Sequence, residues 1–417
     1  MLLAAALVVL AFPMAAAGRP GIELVGQRRL DDRLSELTFR TPLLVERTHA
    51  RVLLPRGYSR STRRYPVLYL LHGAVDDYRS WTTKGDAEAL TAGLPLIVVM
   101  PDTGPIGGYV DWLRGGNRWE TFHLTKLVPW IDRRYRTEGR RAGRAVAGLS
   151  MGGFGSMSYA ARQPDSFAAA ASFSGAVDSV NPAIQAVTPE DTYGPFATQE
   201  IRWRGKNPVD LAANLRGLRL VLRTGNGAPG GPFGGADGIE QVVHQAGVTL
   251  HGRLRTLGIP HVWDDYGPGG HSWPYWQRDL RETLPALMRT FAHPRSPPAP
   301  FTYRSMEPTY EIYGWRVRIR RPALEWSQLR RAGRRGFVLV GSGHARVTSA
   351  RLFRPGARVL ATVRADRGRS RQESVTADGA GRVALALELG RGNTAQQYTP
   401  GARTLSHRTR VRLRAHP

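Results

Sequence analysis

Ser150 lies in Gly148-Leu149-Ser150-Met151-Gly152, directly after the apolar run Arg144–Ala147 and directly before a helix-like stretch. Strand, sharp turn and helix in that order describe a nucleophile elbow, a turn that lifts a serine hydroxyl clear of its neighbours. Small flanking residues are required because the serine takes a strained conformation in which side chains on either side collide. The same turn aims the next backbone N–H, that of Met151, at an oxyanion. The pentapeptide alone also fits a plain Gly-rich turn, so its setting carries the reading.

A serine hydroxyl is a weak nucleophile until a base takes its proton and a third group orients that base. After an elbow the partners follow in the order Ser, acid, His. Of the 11 histidines, His244, His251, His261 and His271 lie between Ser150 and the proline-rich stretch 293–300. His271 stands in Gly267-Pro268-Gly269-Gly270-His271-Ser272-Trp273, after a strand, on a loop too rich in glycine for a core, and just before a helix. It is the candidate base. His244 and His251 fall inside a helix-like stretch, and His261 begins a strand. For the acid, Asp237 and Glu240 both follow the Gly/Pro-rich loop after Arg219–Thr224, and either carboxylate could reach the imidazole. Asp264 and Asp265 read as structural. A second oxyanion donor is due from the loop after the third strand, where Leu70-Leu71-His72-Gly73-Ala74 offers the Ala74 N–H beside that of Met151. Each such donor is worth on the order of 10²–10³ in rate.

These residues need a scaffold. From about residue 34 to 292, strand-like and helix-like segments alternate. The strands are Glu36–Arg40, Thr48–Pro55, Tyr65–Leu71, Leu94–Pro101, Arg144–Gly148, Phe167–Ser174, Leu218–Thr224 and His261–Tyr266. The helices are Glu120–Tyr135, Met151–Arg162, Gln241–Leu257 and Tyr275–Phe291. Alternation predicts an α/β class with a mostly parallel sheet covered on both faces. The unbroken apolar runs VLYLL and LIVVM fit its centre. The first two strands have no helix between them and pair as an antiparallel edge.

Residues 293–300 (HPRSPPAP) are a stiff proline linker. Beyond it, Trp315–Arg320, Gly336–Val340, Arg346–Phe353, Arg358–Val363 and Arg382–Leu387 read as strands, which predicts a small all-β sandwich or barrel over 301–417. At the other end, residues 2–12 (LLAAALVVLAF) form a short apolar run followed by Ala15-Ala16-Ala17, a pattern of a signal peptide over 1–17 with Gly18 first in the mature chain. No Lys or Arg precedes the run, and an uncleaved anchor is the alternative. The organisation is therefore 1–17 signal, 18–292 catalytic domain, 293–300 linker and 301–417 accessory domain, with the protein secreted or held at the cell envelope.

Charge and composition narrow the partners. The net charge of +26 is almost all arginine, since lysine stands only at Lys84, Lys126 and Lys206. Residues 301–417 hold 24 Arg against 7 Asp plus Glu; scattered as they are, they read first as a solvated arginine-rich surface, and otherwise as an excess that draws an anionic wall polymer or membrane surface. No helix-turn-helix, RNP or zinc-finger pattern accompanies it, so nucleic acid is not expected. The absence of cysteine removes thiolate nucleophiles, thiolate metal sites and disulfides. With no HExxH and no Gly-Lys-Ser/Thr after a Gly-rich loop, neither a metal nor a cofactor is expected.

The stretches Gly148-Leu149-Ser150-Met151-Gly152-Gly153 and His271-Ser272-Trp273-Pro274-Tyr275-Trp276 together resemble the esterase-D-like branch of the α/β-hydrolases, which includes the mycobacterial antigen 85 mycolyltransferases. Tyr69-Leu70-Leu71-His72-Gly73, Asp76-Asp77-Tyr78, Trp119-Glu120-Thr121-Phe122 and Gly225-Asn226-Gly227 extend the likeness, which runs from about 35 to 292. The resemblance implies an α/β-hydrolase fold with Ser150 as nucleophile and His271 as base. It places the acid at Glu240, because Thr249-Leu250 then fall at the matching distance, and the oxyanion donors at Ala74 and Met151. His72 stands where the mycolyltransferases carry an aspartate thought to contact the acceptor sugar, and the loop from Gly73 to Asp76 is two residues shorter than theirs. His72 and Trp273 are the substrate-binding candidates. The chemistry implied is acyl transfer from an ester through a serine acyl-enzyme: an esterase if water accepts the acyl group, an acyltransferase if a sugar or glycerol hydroxyl does. A non-catalytic envelope-binding protein is the rival of a different class.

Overall fold

A strand apolar on both faces can be buried only by a layer on each side. In the computed structural model, which describes residues 21–366 and 370–415, Val67–Leu71 is such a strand. Leu68 and Leu70 pack with Trp276, Leu280 and Leu284 on one face. Val67, Tyr69 and Leu71 pack with Ile131, Met157 and Leu250 on the other. The expected signal segment 1–17 and its cleavage point lie outside the described residues.

The central sheet has nine strands: β1 (Glu23–Arg29), β2 (Leu34–Arg40), β3 (Thr48–Leu53), β4 (Val67–Leu71), β5 (Ile97–Pro101), β6 (Arg144–Leu149), β7 (Ala169–Phe173), β8 (Arg219–Thr224) and β9 (Val262–Asp265). Their order is β1-β2-β3-β5-β4-β6-β7-β8-β9. Pairing is parallel from β5 through β9, and β1, β2 and β3 add antiparallel strands at one edge. This is the α/β-hydrolase architecture. The expected edge pairing is that of β2 with β3, whereas β1 was not anticipated. Its sequence, ELVGQRR, lies half-exposed on the outermost edge and lacks the apolar alternation that marks a buried strand. The stretch expected as one helix over Glu120–Tyr135 runs as Trp119–Phe122, a wide π turn over His123–Leu127, and Val128–Arg134. Pro129 has no N–H to give the preceding turn, and the ladder widens there.

After the helix Trp273–Ala292 and the linker, ten further strands follow: β10 (Phe301–Ser305), β11 (Thr309–Ile312), β12 (Trp315–Arg320), β13 (Ser327–Gly333), β14 (Gly336–Gly341), β15 (His344–Thr348), β16 (Arg358–Ala365), β17 (Arg371–Thr376), β18 (Ala384–Glu388) and β19 (His407–Ala415). They form a six-stranded sheet, β10-β13-β14-β19-β16-β17, and a four-stranded sheet, β11-β12-β15-β18. Every pairing is antiparallel. Inward residues of both sheets, among them Val317, Ile319, Leu339 and Val411, share one core. Half of these strands (β10, β11, β13, β17 and β19) were not read from the sequence.

The module is joined to the catalytic unit by buried charges. Glu120 pairs with Arg162 at 2.5 Å and with Lys206 at 2.8 Å, and Glu307 of the module contacts the same two cations at 3.0 and 3.3 Å. Burial alone would raise the Glu307 carboxyl, but Lys206 and Arg162 outweigh it and hold it down at about 2. Tyr303 donates its hydroxyl to the Arg162 carbonyl at 2.7 Å, and Asn214 exchanges two hydrogen bonds with the Arg304 main chain. A cleft of about 430 Å³ opens at this joint, lined by these charges together with Arg118 and Arg202.

Candidate active site

The site sits beyond the C-terminal ends of the parallel strands, where β6 turns into the helix Met151–Arg162. Ser150 takes φ 51 and ψ −118, a conformation that costs a non-glycine residue on the order of 1–3 kcal/mol. The turn closes only because two neighbours lack side chains. A Cβ at Gly152 would lie 2.5 Å from the His72 carbonyl oxygen, and one at Gly148 would lie 2.5 Å from that of Gly152. The Ser150 N–H donates to the Phe173 carbonyl at 2.9 Å, which ties the turn to the end of β7.

The structure brings Ser150 from the turn after β6, His271 from the loop after β9 and Glu240 from the first turn of the helix Gly238–Thr256 together. His271 Nε2 is 2.8 Å from Ser150 Oγ, and His271 Nδ1 is 2.8 Å from Glu240 Oε2. Glu240 is fully buried. Its other oxygen, Oε1, accepts from Ser174 Oγ at 2.8 Å, Thr224 Oγ1 at 2.9 Å and the Gly225 N–H at 2.8 Å. Four hydrogen bonds therefore hold a buried carboxylate against the imidazole, the compensation a desolvated anion requires. With Nδ1–H committed to Glu240, Nε2 faces the Ser150 hydroxyl as an acceptor.

Asp237, the other carboxylate open on sequence grounds, does different work. Its Oδ1 caps the helix Gly238–Thr256 by accepting the Ile239 and Glu240 N–H groups at 2.9 and 3.0 Å, and its Oδ2 accepts the His271 N–H at 2.8 Å. Burial alone would raise this carboxyl, but the N–H donors of Glu240 and His271 outweigh that and hold it below the usual range. Asp237 thus holds both His271 and Glu240 through their backbones. Asp264 ion-pairs with Arg223 and Arg278, and Asp265 with His244 at 2.8 Å. His251 and His261 bond each other at 2.8 Å.

Met151 begins its helix, so its N–H has no intrahelical acceptor. Among the described residues the Ala74 N–H has no protein acceptor either. The loop carrying Ala74 is tied down on every side. Trp81 Nε1 donates to the Leu71 carbonyl at 2.8 Å, the Tyr109 hydroxyl donates to that of His72 at 3.0 Å, and the Val75 N–H donates to Pro105 at 2.8 Å.

His72 is one of these ties, which corrects its expected role in contacting substrate. Its side chain is 1% exposed. Its Nδ1–H donates to the Gly73 carbonyl at 2.8 Å, and Nε2 accepts the Thr103 N–H at 3.2 Å. Both ring nitrogens are spent on the loops after β4 and β5, and no atom is left to reach outward. Trp273 remains partly exposed, edge-on to Trp81 at 5.2 Å and to Trp276 at 5.3 Å. Sequence reasoning missed Ser174 and Thr224, at strand ends, and Tyr109, in the turn after β5, because a lone hydroxyl in such places carries no motif. Among the described residues no group of three or more His, Asp or Glu side chains is placed to hold a metal ion.

Comparison with known proteins bears on this geometry. The family described as "Putative esterase" matches residues 42–287 and ends before the C-terminal module. Esterase Rv1288 of Mycobacterium tuberculosis (strain ATCC 25618 / H37Rv) is 36% identical over 269 residues, covering 60% of this chain and 58% of its own length. The chain thus spans less than two thirds of that relative. Diacylglycerol acyltransferase/mycolyltransferase Ag85B of Mycobacterium leprae (strain TN) is 31% identical over 257 residues, 55% of this chain and 78% of its own. Among solved structures, an S-formylglutathione hydrolase from Agrobacterium tumefaciens superposes with a TM-score of 0.55 at 18% identity, covering 64% of this chain and 98% of that one. MPT51 (FbpC1) of Mycobacterium tuberculosis superposes at 0.50 with 22% identity, covering 60% and 96%. At such identities these two superpositions bear on the fold alone.

Proposed function

The chain belongs to the esterase family whose profile spans residues 42–287, and from that premise we propose that it is a secreted serine esterase working through Ser150, His271 and Glu240. The observation that carries the reading is the unbroken relay of 2.8 Å contacts from Ser150 Oγ through the imidazole to a buried carboxylate.

Ser150 Oγ attacks the ester carbonyl carbon while its proton passes to His271 Nε2. The carbonyl oxygen becomes an oxyanion and accepts the Ala74 and Met151 N–H groups. Collapse breaks the bond to the alcohol, which leaves with the proton from His271. Water then gives a proton to the same nitrogen, attacks the acyl-serine, and releases the acid as Ser150 recovers its hydrogen. Glu240 keeps Nδ1–H in place throughout and stabilises the imidazolium. The ester has an apolar acyl part: the exposed Val75, Ile106, Leu113, Val187, Phe233 and Ile239 all stand on segments that follow β4, β5, β7 and β8, leaving the sheet at the same strand ends beyond which Ser150 lies. Secretion rests on the apolar run 2–12 and the alanines after it. The arginine-rich module then holds the enzyme on an anionic envelope.

Acyl transfer to a sugar or glycerol hydroxyl is the second reading, supported by the mycolyltransferase relative and by the shared acyl-enzyme. Incubating the protein with a short-chain p-nitrophenyl ester, with and without trehalose, separates the two. Free acid as the main product in both cases is expected, and predominant acyl-trehalose would replace the esterase reading by the transferase one. Ser150→Ala is expected to abolish turnover and the acyl adduct seen by intact mass. Turnover that survives this change assigns the nucleophile elsewhere and leaves a binding protein as the better account.

A further inference from the structure

On the outward side of the six-stranded sheet, seven arginines share one face with the carboxylate of Asp366 at the end of β16, while Arg304 of β10 is turned into the joint with the catalytic unit. β19 alternates strictly, with Thr409, Val411 and Leu413 buried and Arg408, Arg410, Arg412 and Arg414 exposed. The register sets Arg364 of β16 directly opposite Arg410, and Thr362 opposite Arg412. Arg358 lies two residues from Leu360 on that same face, and Arg330 of β13 faces Val338, which in turn faces Arg410. The remaining outward residues there are Thr302, Gln328, Gly336, Val338, Val340, Leu360, Thr362, Gln372, Ser374 and Thr376. Among the described residues, the ion pairs within the module belong elsewhere: Arg316–Glu311, Arg321–Glu325, His344–Glu388 and Arg371–Glu373. Asp366 stands opposite Arg408 and accepts its backbone N–H at 3.0 Å, one acid against seven arginines.

Folding does not ask for this arrangement. Like charges directly opposite across two strands are destabilising, and seven unpaired cations on one face repel one another. The other sheet also sets Arg318 opposite Arg346, but its outward Arg316 and His344 each face a glutamate. Like charges gathered along the whole length of one face point to a ligand that supplies the missing charge.

We infer that this face binds a linear, base-free phosphodiester polymer laid along β19. Alternate residues of a strand recur about every 6.8 Å. That repeat is also the reach of about six extended backbone bonds, which in a polyol phosphate separate one phosphorus from the next. Each guanidinium offers a fork that matches a phosphate bidentately. A bilayer fits less well, because none of the exposed large apolar side chains that would insert into it lies on this face. A polynucleotide fits less well too, because the face has no aromatic ring on which a base could stack. The inference deepens the envelope reading above and rests on it only for where the polymer comes from; the acyl chemistry is separate.

The test uses the full chain and three probes: a lipid-free glycerol-phosphate polymer, phosphatidylglycerol vesicles and a single-stranded oligothymidylate. The polymer is expected to bind with a slope of log K against log salt of about −3, as four neutralised phosphates give. Replacing Arg364, Arg410 and Arg412 together by Gln is expected to weaken it more than tenfold, and replacing them by Lys only about threefold or less. Hydrolysis of a soluble p-nitrophenyl ester should be equal in all three proteins. If the triple Gln variant melts early, Arg408→Gln and Arg414→Gln singly carry the same comparison. No polymer binding, undiminished binding by the Gln variants, or tighter binding of vesicles or oligothymidylate than of the polymer each overturns the inference. A protein that binds the polymer but hydrolyses no ester refutes the esterase reading and leaves this one standing.

Discussion

Two carboxylates three residues apart have opposite duties here. Glu240 is enclosed and meets the imidazole, while Asp237 caps the helix that presents Glu240 and holds the His271 main chain. Their substitutions therefore separate. Glu240→Gln is expected to lower kcat by about 10³–10⁴ while the protein folds normally, since the amide can present the wrong hydrogen to Nδ1. Asp237→Ala is expected to cost about 0.5–2 kcal/mol in thermal or denaturant melts, the worth of a helix cap, with a smaller loss of kcat. A larger kcat loss for Asp237→Ala than for Glu240→Gln would reverse the assignment. His123 gives a pH signature. Its ring is buried, Nε2–H donates to the Asp102 carbonyl at 2.9 Å, and Nδ1 bonds the Tyr159 hydroxyl at 2.8 Å. Burial drives its pKa from 6.5 down to about 4. Between those values the unfolded chain takes up a proton that the fold refuses, so this contribution is complete above pH 6.5 and is lost as pH falls through the window. Melting temperatures of His123→Gln followed from pH 7 to 4 should decline less steeply than those of the unsubstituted protein.

Ala74, Ser150, Glu240 and His271 stand on the segments after β4, β6, β8 and β9, and the segments after β4, β5, β7 and β8 carry the exposed apolar side chains. Among the described residues of the catalytic unit, Val45 is the exposed large apolar side chain that lies elsewhere, so the gathering of the other six on these segments is informative. Phe233 is half-exposed and rests edge-on against Tyr275 at 5.0 Å. Replacing Phe233 and Ile106 by Ser is expected to raise KM for a long-chain ester by about tenfold or more, since each side chain fully covered by substrate is worth about 1.5–3 kcal/mol. KM for an acetyl ester should stay put. Equal effects on both chain lengths would mean that these loops matter for folding and not for the acyl chain.

The catalytic unit and the module meet through charges that neither could leave buried alone. Removing one member of such a network strands the others in a low-dielectric joint. Glu120→Gln, which leaves Arg162 and Lys206 with Glu307 as their remaining anion, is expected to cost about 3–5 kcal/mol and to appear as a lowered melting temperature with a near-normal kcat at 25 °C. A change below about 1 kcal/mol would show that water reaches the joint and screens it. The arginine face lies on the same module, so the joint also fixes where a bound polymer runs relative to the enzyme.

Much of this was legible in the chain. Local order is written in runs of neighbouring residues, so the β6–Ser150–helix turn, the unbroken strands VLYLL and IVVMP and the Gly-rich loop of His271 could all be read along the line. What could not be read depends on which residues meet across space. Asp237 and Glu240 both suit an acid by type, and only the rotation of one helix turn about its axis sends one carboxylate to Nδ1 and the other to a backbone amide. His72 reads like a site residue beside Ser150, yet packing against Gly73 and Thr103 consumes both nitrogens. The arginines of the C-terminal third look scattered in sequence. The pleat of β19 and its register with β16 gather them on one side, because a strand sends alternate side chains to opposite faces and only pairing determines which strands share a face.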